Sequence, residues 1–220
     1  PFGDSSQIPT TLICKVAREK VKVALTGDGG DELFSGYNRY FWIEKIWNNL
    51  KKIPISYRKG FKKNAQKISS LRYEQCFSII NYIFINKFSN PVEKFNKFLE
   101  IVDCSSKEEI YLKLISQFKD KLPITEKVYE PNVLQNNPND WPDMKNFSDI
   151  VMYVDTLTYL PDDILAKVDR ASMSVSLETR IPFLDPRVID FAWKLPNNQK
   201  LDGTKGKKIL KSLLNQYIPS

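Results

Sequence analysis

The stretch "VKVALTGDGGDELFSGYNRY", from Val21 to Tyr40, limits what this chain can fold into more than any other. "VKVAL" is β-branched and alternating, which predicts a strand, and Gly27 ends it. Three glycines and three acids follow within the seven positions from Thr26 to Glu32. "DELFSGYNRYFWIEKIWNNL" then resumes helical spacing, with breaks expected at Gly36 and near Tyr40. Upstream, "PTTLICKVAREK" places Leu12, Ile13, Val16 and Ala17 on one face of a helix that Pro9 can open. Helix, strand, glycine turn and helix make an α/β unit over residues 1–48.

The remainder, 49–220, reads as mostly helical. Tyr57–Ser69, Tyr73–Phe88, Pro91–Val102 and Lys107–Lys121 carry helical spacing, punctuated by Pro54, Pro91 and Pro123. Residues 128–144 are rich in Pro and Asn and predict a loop. Helices resume near Phe147, and Pro161 is placed to open another, with Asp162 and Asp163 at its positive end. On that helix Asp163, Lys167 and Arg170 share one face, while Ile164, Leu165 and Val168 face a core. A short helix after Pro186 and a basic amphipathic one, "TKGKKILKSLLNQYIP", complete the pattern. With 42% hydrophobic residues in 220, the chain can bury the core of one large or two small domains.

Composition narrows the function classes. A net charge of +7 attracts phosphates, but the lysines form short scattered pairs and no stripe, which favours a solvated basic surface over a nucleic-acid interface. The rival, a helical nucleic-acid-binding module, would show affinity falling steeply with salt. Histidine is absent and Cys14, Cys76 and Cys104 form no CxxC, so zinc sites and Cys/His or Ser/His catalysis lack their parts. The odd cysteine count suits a reducing cytoplasm. No stretch reaches the ~20 apolar residues that span a bilayer, and "SIINYIFINKF" is interrupted by polar residues. The chain opens on Pro1, within what looks like a motif, and the expectation is a piece of a longer polypeptide.

The glycine-rich turn carries the chemistry. Gly27, Gly29 and Gly30 allow positive φ and close backbone approach, and the following helix would aim amides at a ligand. Neither a GxxxxGK[ST] lysine nor a GxGxxG is present. Asp28, Asp31 and Glu32 would repel a polyphosphate by ~4 kcal/mol per close pair at an effective dielectric of about 20. A magnesium ion removes the conflict, because it binds one or two carboxylates and completes its shell with phosphate oxygens and water. The other reading makes these acids helix caps, worth ~0.3–1 kcal/mol each. From the residues alone both stand.

"TGDGGDELFSGYNRY" and "YLPDDILAKVDRASMSVSLETRIPFLDPRVIDFAWKLP" together resemble the synthetase domain of glutamine-hydrolysing asparagine synthetases. The resemblance runs over essentially the whole chain, with the middle contributing least. It implies an α/β fold of the adenine-nucleotide alpha-hydrolase-like, PP-loop ATP pyrophosphatase type, mostly helical here and holding only the last part of the parallel sheet. It implies ATP and Mg2+ as cofactors, aspartate and ammonia as substrates, and an N-terminal glutaminase domain in the same polypeptide; a homodimer is compatible with it. By the same resemblance, Thr26, Gly27, Gly29 and Gly30 are expected at ATP and pyrophosphate, Asp31 at the metal, and Asp28 at the acyl-adenylate intermediate. Some relatives carry glutamate in the place of Asp28, whose reach is one methylene shorter. Lys207 is the expected catalytic lysine, with Lys205 and Lys208 next in register. Asp4, Ser5 and Arg170 are candidates for the acceptor pocket, although the cluster of Lys167, Asp169 and Arg170 reads first as a structural ion-pair network. The family's SGGxDS loop and glutaminase cysteine do not occur in these residues, so half of the ATP site and the glutaminase are expected elsewhere, and these 220 residues alone are expected to be inactive. Related enzymes that amidate a polysaccharide precursor or close a β-lactam ring keep the chemistry and change the acceptor.

Overall fold

The computed structural model describes residues 4–66, 91–116, 134, 137–203 and 205–218. Helix α1 spans Gln7–Arg18 and strand β1 spans Val23–Leu25, the strand shorter than "VKVAL" suggested. β1 pairs in parallel with β2, Glu178–Arg180, in the register Val23↔Glu178, Ala24↔Thr179 and Leu25↔Arg180. The sequence does not announce β2: its three residues include a single β-branched one and lie beyond a helical stretch. Cys14 of α1 packs with Ala171 and Leu177 beneath the sheet, and Ala17, Ala24 and Val175 join them. This small-residue side faces inward, whereas Leu12, Ile13 and Val16 of the expected apolar face are 56%, 69% and 66% exposed. Alanine and cysteine permit the closer helix approach, and that approach sets the rotation of α1.

After the glycine turn, α2 is a single turn, Gly30–Leu33, and α3 runs Arg39–Leu50. The expected break at Gly36 lies within the non-helical link 34–38 between α2 and α3, in which Ser35 adopts φ 57°. Leu33, Phe34 and Ala192 form a core cluster that Phe183, Val188, Ile189, Ile209 and Leu210 cover. The second half of this unit contributes α7 (Phe147–Leu157), α8 (Ala166–Met173), α9 (Pro186–Lys194), α10 (Asn197–Lys200) and α11 (Lys208–Leu214). Pro161 stands in the first turn of the next helical segment, a π turn, Leu160–Leu165, that runs directly into α8; there its missing amide is one that a helix start leaves unpaired in any case.

Residues 1–42 and 130–220 form one compact unit and 43–129 the other. Pairing of β1 with β2 ties the ends of the chain together, a long-range contact that local composition does not record. The second unit holds α4 (Ile55–Gln66), α5 (Pro91–Ile101) and α6 (Lys107–Ile115). The expected helix Tyr73–Phe88, Cys76, the tail of Lys107–Lys121 and most of the Pro/Asn loop lie outside the described residues. Buried Arg58 donates to the carbonyls of Ile53, Val102 and Cys104 at 2.9, 2.9 and 2.6 Å. Ser106 caps α6 by accepting from the Glu109 amide, and Glu109 accepts from the Ser105 amide in return. Among the described residues no helix is long and apolar enough to cross a membrane.

Candidate active site

The Thr26 amide donates to the Arg180 carbonyl at 2.9 Å, which carries the parallel ladder to the mouth of the glycine turn. Its hydroxyl is enclosed without a hydrogen-bond partner among the described residues. Only Gly29 of the three turn glycines has positive φ, at 80°. Methyls built on Gly29 and Gly30 would meet Leu184 and Phe183 at 2.8 and 3.1 Å, so these two glycines make room for the Pro182–Leu184 turn. Gly27 is different: nothing lies within 4 Å of a methyl there. Open space for a ligand is therefore at Gly27, while the peptide dipole of the one-turn α2 is short.

The three acids separate. Asp28 is half-buried and forms no side-chain hydrogen bond or ion pair with a described residue. Asp31 receives Lys207, Nζ to Oδ2 at 2.9 Å, across 176 residues of chain. Lys207 has φ 59°, and its amide donates to the Phe34 carbonyl at 2.9 Å. Both side chains are about one-third exposed, 35% and 32%, so water screens the pair and its contribution to stability is small. Its importance is placement. Lys208 instead reaches the Asn198 carbonyl, and Lys205 bridges by its backbone to Asp202.

Glu32 turns inward, contrary to a reading of three acids aimed at one ligand. It is 1% exposed and accepts from the Tyr37 hydroxyl at 2.8 Å. Burial pushes its carboxyl above the usual range, opposed by that hydrogen bond, and burial likewise pushes the Tyr37 hydroxyl up, with Glu32 adding to the effect. Next to it Arg39 donates twice to fully buried Asp155, at 3.0 and 2.7 Å, and its guanidinium lies 4.1 Å from the Tyr37 ring centre and 5.0 Å from that of Tyr159. Sequence reasoning misses this network, because Asp155 and Tyr159 lie over 100 residues from Glu32, Tyr37 and Arg39; the local signal is the aromatic density of "GYNRY".

Asp4 meets Lys167 at 2.9 Å, joining the start of the described chain to α8. A hydrogen bond from the Ser6 hydroxyl, and then the one from Lys167, hold the Asp4 carboxyl down at about 2. Burial, and next the nearby Asp4, push Asp163 up. Asp4 and Ser5 line an open hollow of about 540 Å3 along the first turns of α1, and neither Asp31 nor Lys207 borders it. Arg170 is exposed one turn beyond Lys167. Of the residues expected at an acceptor pocket, two thus share a hollow and the third stands on the neighbouring helix.

Among the described residues no three acids, histidines or cysteines converge as a metal cage. The donor set fits a hydrated magnesium ion that takes one or two carboxylates and draws its other ligands from phosphate and water. Asp31, with Asp28 unpaired beside it in sequence, would hold such an ion, and it would neutralise charge on a polyphosphate.

A parallel strand pair, an open glycine turn at its end, and a carboxylate bound to a distant lysine mark the candidate site of an α/β domain. The chain belongs to the asparagine synthase family, whose model matches residues 1–220. It is 29% identical over 224 residues to asparagine synthetase [glutamine-hydrolyzing] 1 of Bacillus subtilis, covering all of this chain and 32% of that protein. It is 27% identical over 236 residues to a putative asparagine synthetase [glutamine-hydrolyzing] of Mycobacterium bovis, covering 31% of it. A putative asparagine synthetase [glutamine-hydrolyzing] 2 of Methanocaldococcus jannaschii is 28% identical over 193 residues, 83% of this chain. The chain spans about a third of the length of these relatives. No solved structure matches it significantly.

Proposed function

We propose that this chain is the C-terminal part of the synthetase domain of a glutamine-hydrolysing asparagine synthetase, with a PP-loop pyrophosphatase-type fold completed by the rest of the polypeptide. The aspartate side-chain carboxylate attacks the α-phosphorus of ATP and pyrophosphate leaves. Ammonia, released from glutamine by the N-terminal glutaminase domain, then attacks the acyl carbon of β-aspartyl-AMP; AMP leaves and one proton is lost. The observation that carries this reading is the Asp31–Lys207 pair at the open end of the glycine turn.

In this reading Lys207 stabilises charge that develops on the departing pyrophosphate. Asp31 would hold magnesium, which would supply positive charge to the phosphates. Unpaired Asp28 receives the proton from the attacking nitrogen, and Thr26 and Gly27 border the nucleotide, with Gly29 and Gly30 shaping the turn beneath it. Asp4 and Ser5, with Arg170 nearby, form part of the acceptor wall. The glutaminase nucleophile and the SGGxDS phosphate loop come from the remainder of the enzyme.

The test separates the two chemical steps in the full-length protein. Aspartate-dependent ATP–pyrophosphate exchange is expected to fall ~100-fold or more in Asp31→Asn and in Lys207→Met. In Asp28→Asn exchange should persist while asparagine formation is lost. Exchange supported by a different carboxylic acid and not by aspartate would replace the acceptor; absence of exchange with any acid would overturn the reading. The 220 residues alone should form no AMP from ATP, magnesium and aspartate.

A further inference from the structure

Two glycines stand where the carboxylate and the lysine meet. The Gly36 amide donates to the Asp31 carbonyl at 2.8 Å. A methyl on Gly36 would lie 2.6 Å from both Asp31 Cγ and Lys207 Cε, and nearer still to Asp31 Oδ1. Gly206 precedes the lysine and is buried. A methyl there would lie 2.8 Å from the Ser35 carbonyl carbon, nearer still to its oxygen, and 3.1 Å from Gly36 Cα. Neither glycine has positive φ; the left-handed residues here are Ser35 and Lys207, at 57° and 59°. What this place needs from Gly36 and Gly206 is therefore the missing side chain and not backbone freedom. Two neighbouring non-glycine residues hold a conformation that L-residues avoid, and such strain persists only where the surroundings over-determine it.

We infer that Gly36 and Gly206 are positioning residues for Lys207. Bare backbone at both lets residues 205–207 lie against 34–36, and the Lys207 amide locks onto the Phe34 carbonyl. That contact, and not the seven-residue α11, sets where the ammonium stands. Its catalytic consequence rests on the proposed function; the placement of Lys207 does not.

Trace acetylation of the full-length protein, read peptide by peptide by mass spectrometry, reports how available the Lys207 amine is. With both glycines in place, Asp31→Asn should raise the Lys207 labelling rate roughly 2- to 5-fold, as expected for release from a partly exposed ion pair. Gly206→Ala and Gly36→Ala should raise it by the same factor alone, and adding Asp31→Asn should then change nothing. Gly60→Ala, where a methyl meets nothing within 4 Å, is the control that leaves labelling unaltered. In parallel, kcat for ATP–pyrophosphate exchange should fall ~100-fold in both glycine variants while the KM for ATP changes far less, because the lysine is misplaced and not removed. If Gly206→Ala does not fold by circular dichroism, Gly36→Ala carries the test, since its neighbours are side-chain atoms that can shift. A Lys207 still protected in the glycine variants and still released by Asp31→Asn overturns the inference. The expected labelling pattern in a wild-type protein without exchange activity would overturn the proposed function and leave the placement standing.

Discussion

Asp31 and Glu32 are neighbours in sequence and opposites in environment. One meets solvent and a lysine, the other a half-buried tyrosine. Glu32→Ala takes the acceptor from the half-buried Tyr37 hydroxyl, so urea unfolding should show a loss of about 1 kcal/mol. Glu32→Gln, which keeps an acceptor oxygen, should lose less. Asp4 supplies a pH signature of the fold. Its folded carboxyl titrates at about 2, below the ordinary 3.8, so the fold favours the ionised form. That stabilisation is complete above the ordinary value and is lost as pH falls from about 4 towards about 2. Asp4→Asn should flatten the fall of stability across this window, measured by urea unfolding at a series of pH values. The family resemblance singles out Asp31 and, among neighbouring lysines, Lys207; that their side chains meet is not legible in the sequence, because 176 residues separate them. Nor is the inward turn of Glu32, since a helix of one turn has too few residues to reveal a buried face.

At the scale of the element, Arg58 does for the second unit what caps do for a single helix. Its fork satisfies carbonyls after α3 and after α5 at once. Arg58→Ala should destabilise by about 2–4 kcal/mol, since charge-assisted bonds vanish and buried carbonyls lose their donor. Arg58→Lys should recover little, because a single ammonium does not reproduce the guanidinium geometry; chemical denaturation of the three proteins checks both. The long periodic helices are readable from sequence for the usual reason, a repeated apolar spacing. β2 is not, with three residues and no alternation, and neither is the inward side of α1. There the larger apolar residues suggest one face and close packing of Cys14 and Ala17 selects another.

On the scale of the whole molecule, each unit contains a buried free thiol, Cys14 in the first and Cys104 in the second. Burial also pushes both thiols up, to about 11 for Cys104. Peptides carrying them should resist alkylation under native conditions and react fully in denaturant, with mass spectrometry reporting each separately. The parallel register has a consequence for synthesis. Residues 43–129 lie entirely between the two paired strands, so the unit they form is complete before β2 leaves the ribosome. At ~5–20 residues per second, β1 waits roughly 8–30 s for its partner. Throughout that interval the edge of β1 that will take β2 lacks its strand, and the stretch between the two, residues 43–129 included, sets how long that edge must be kept from other pairings.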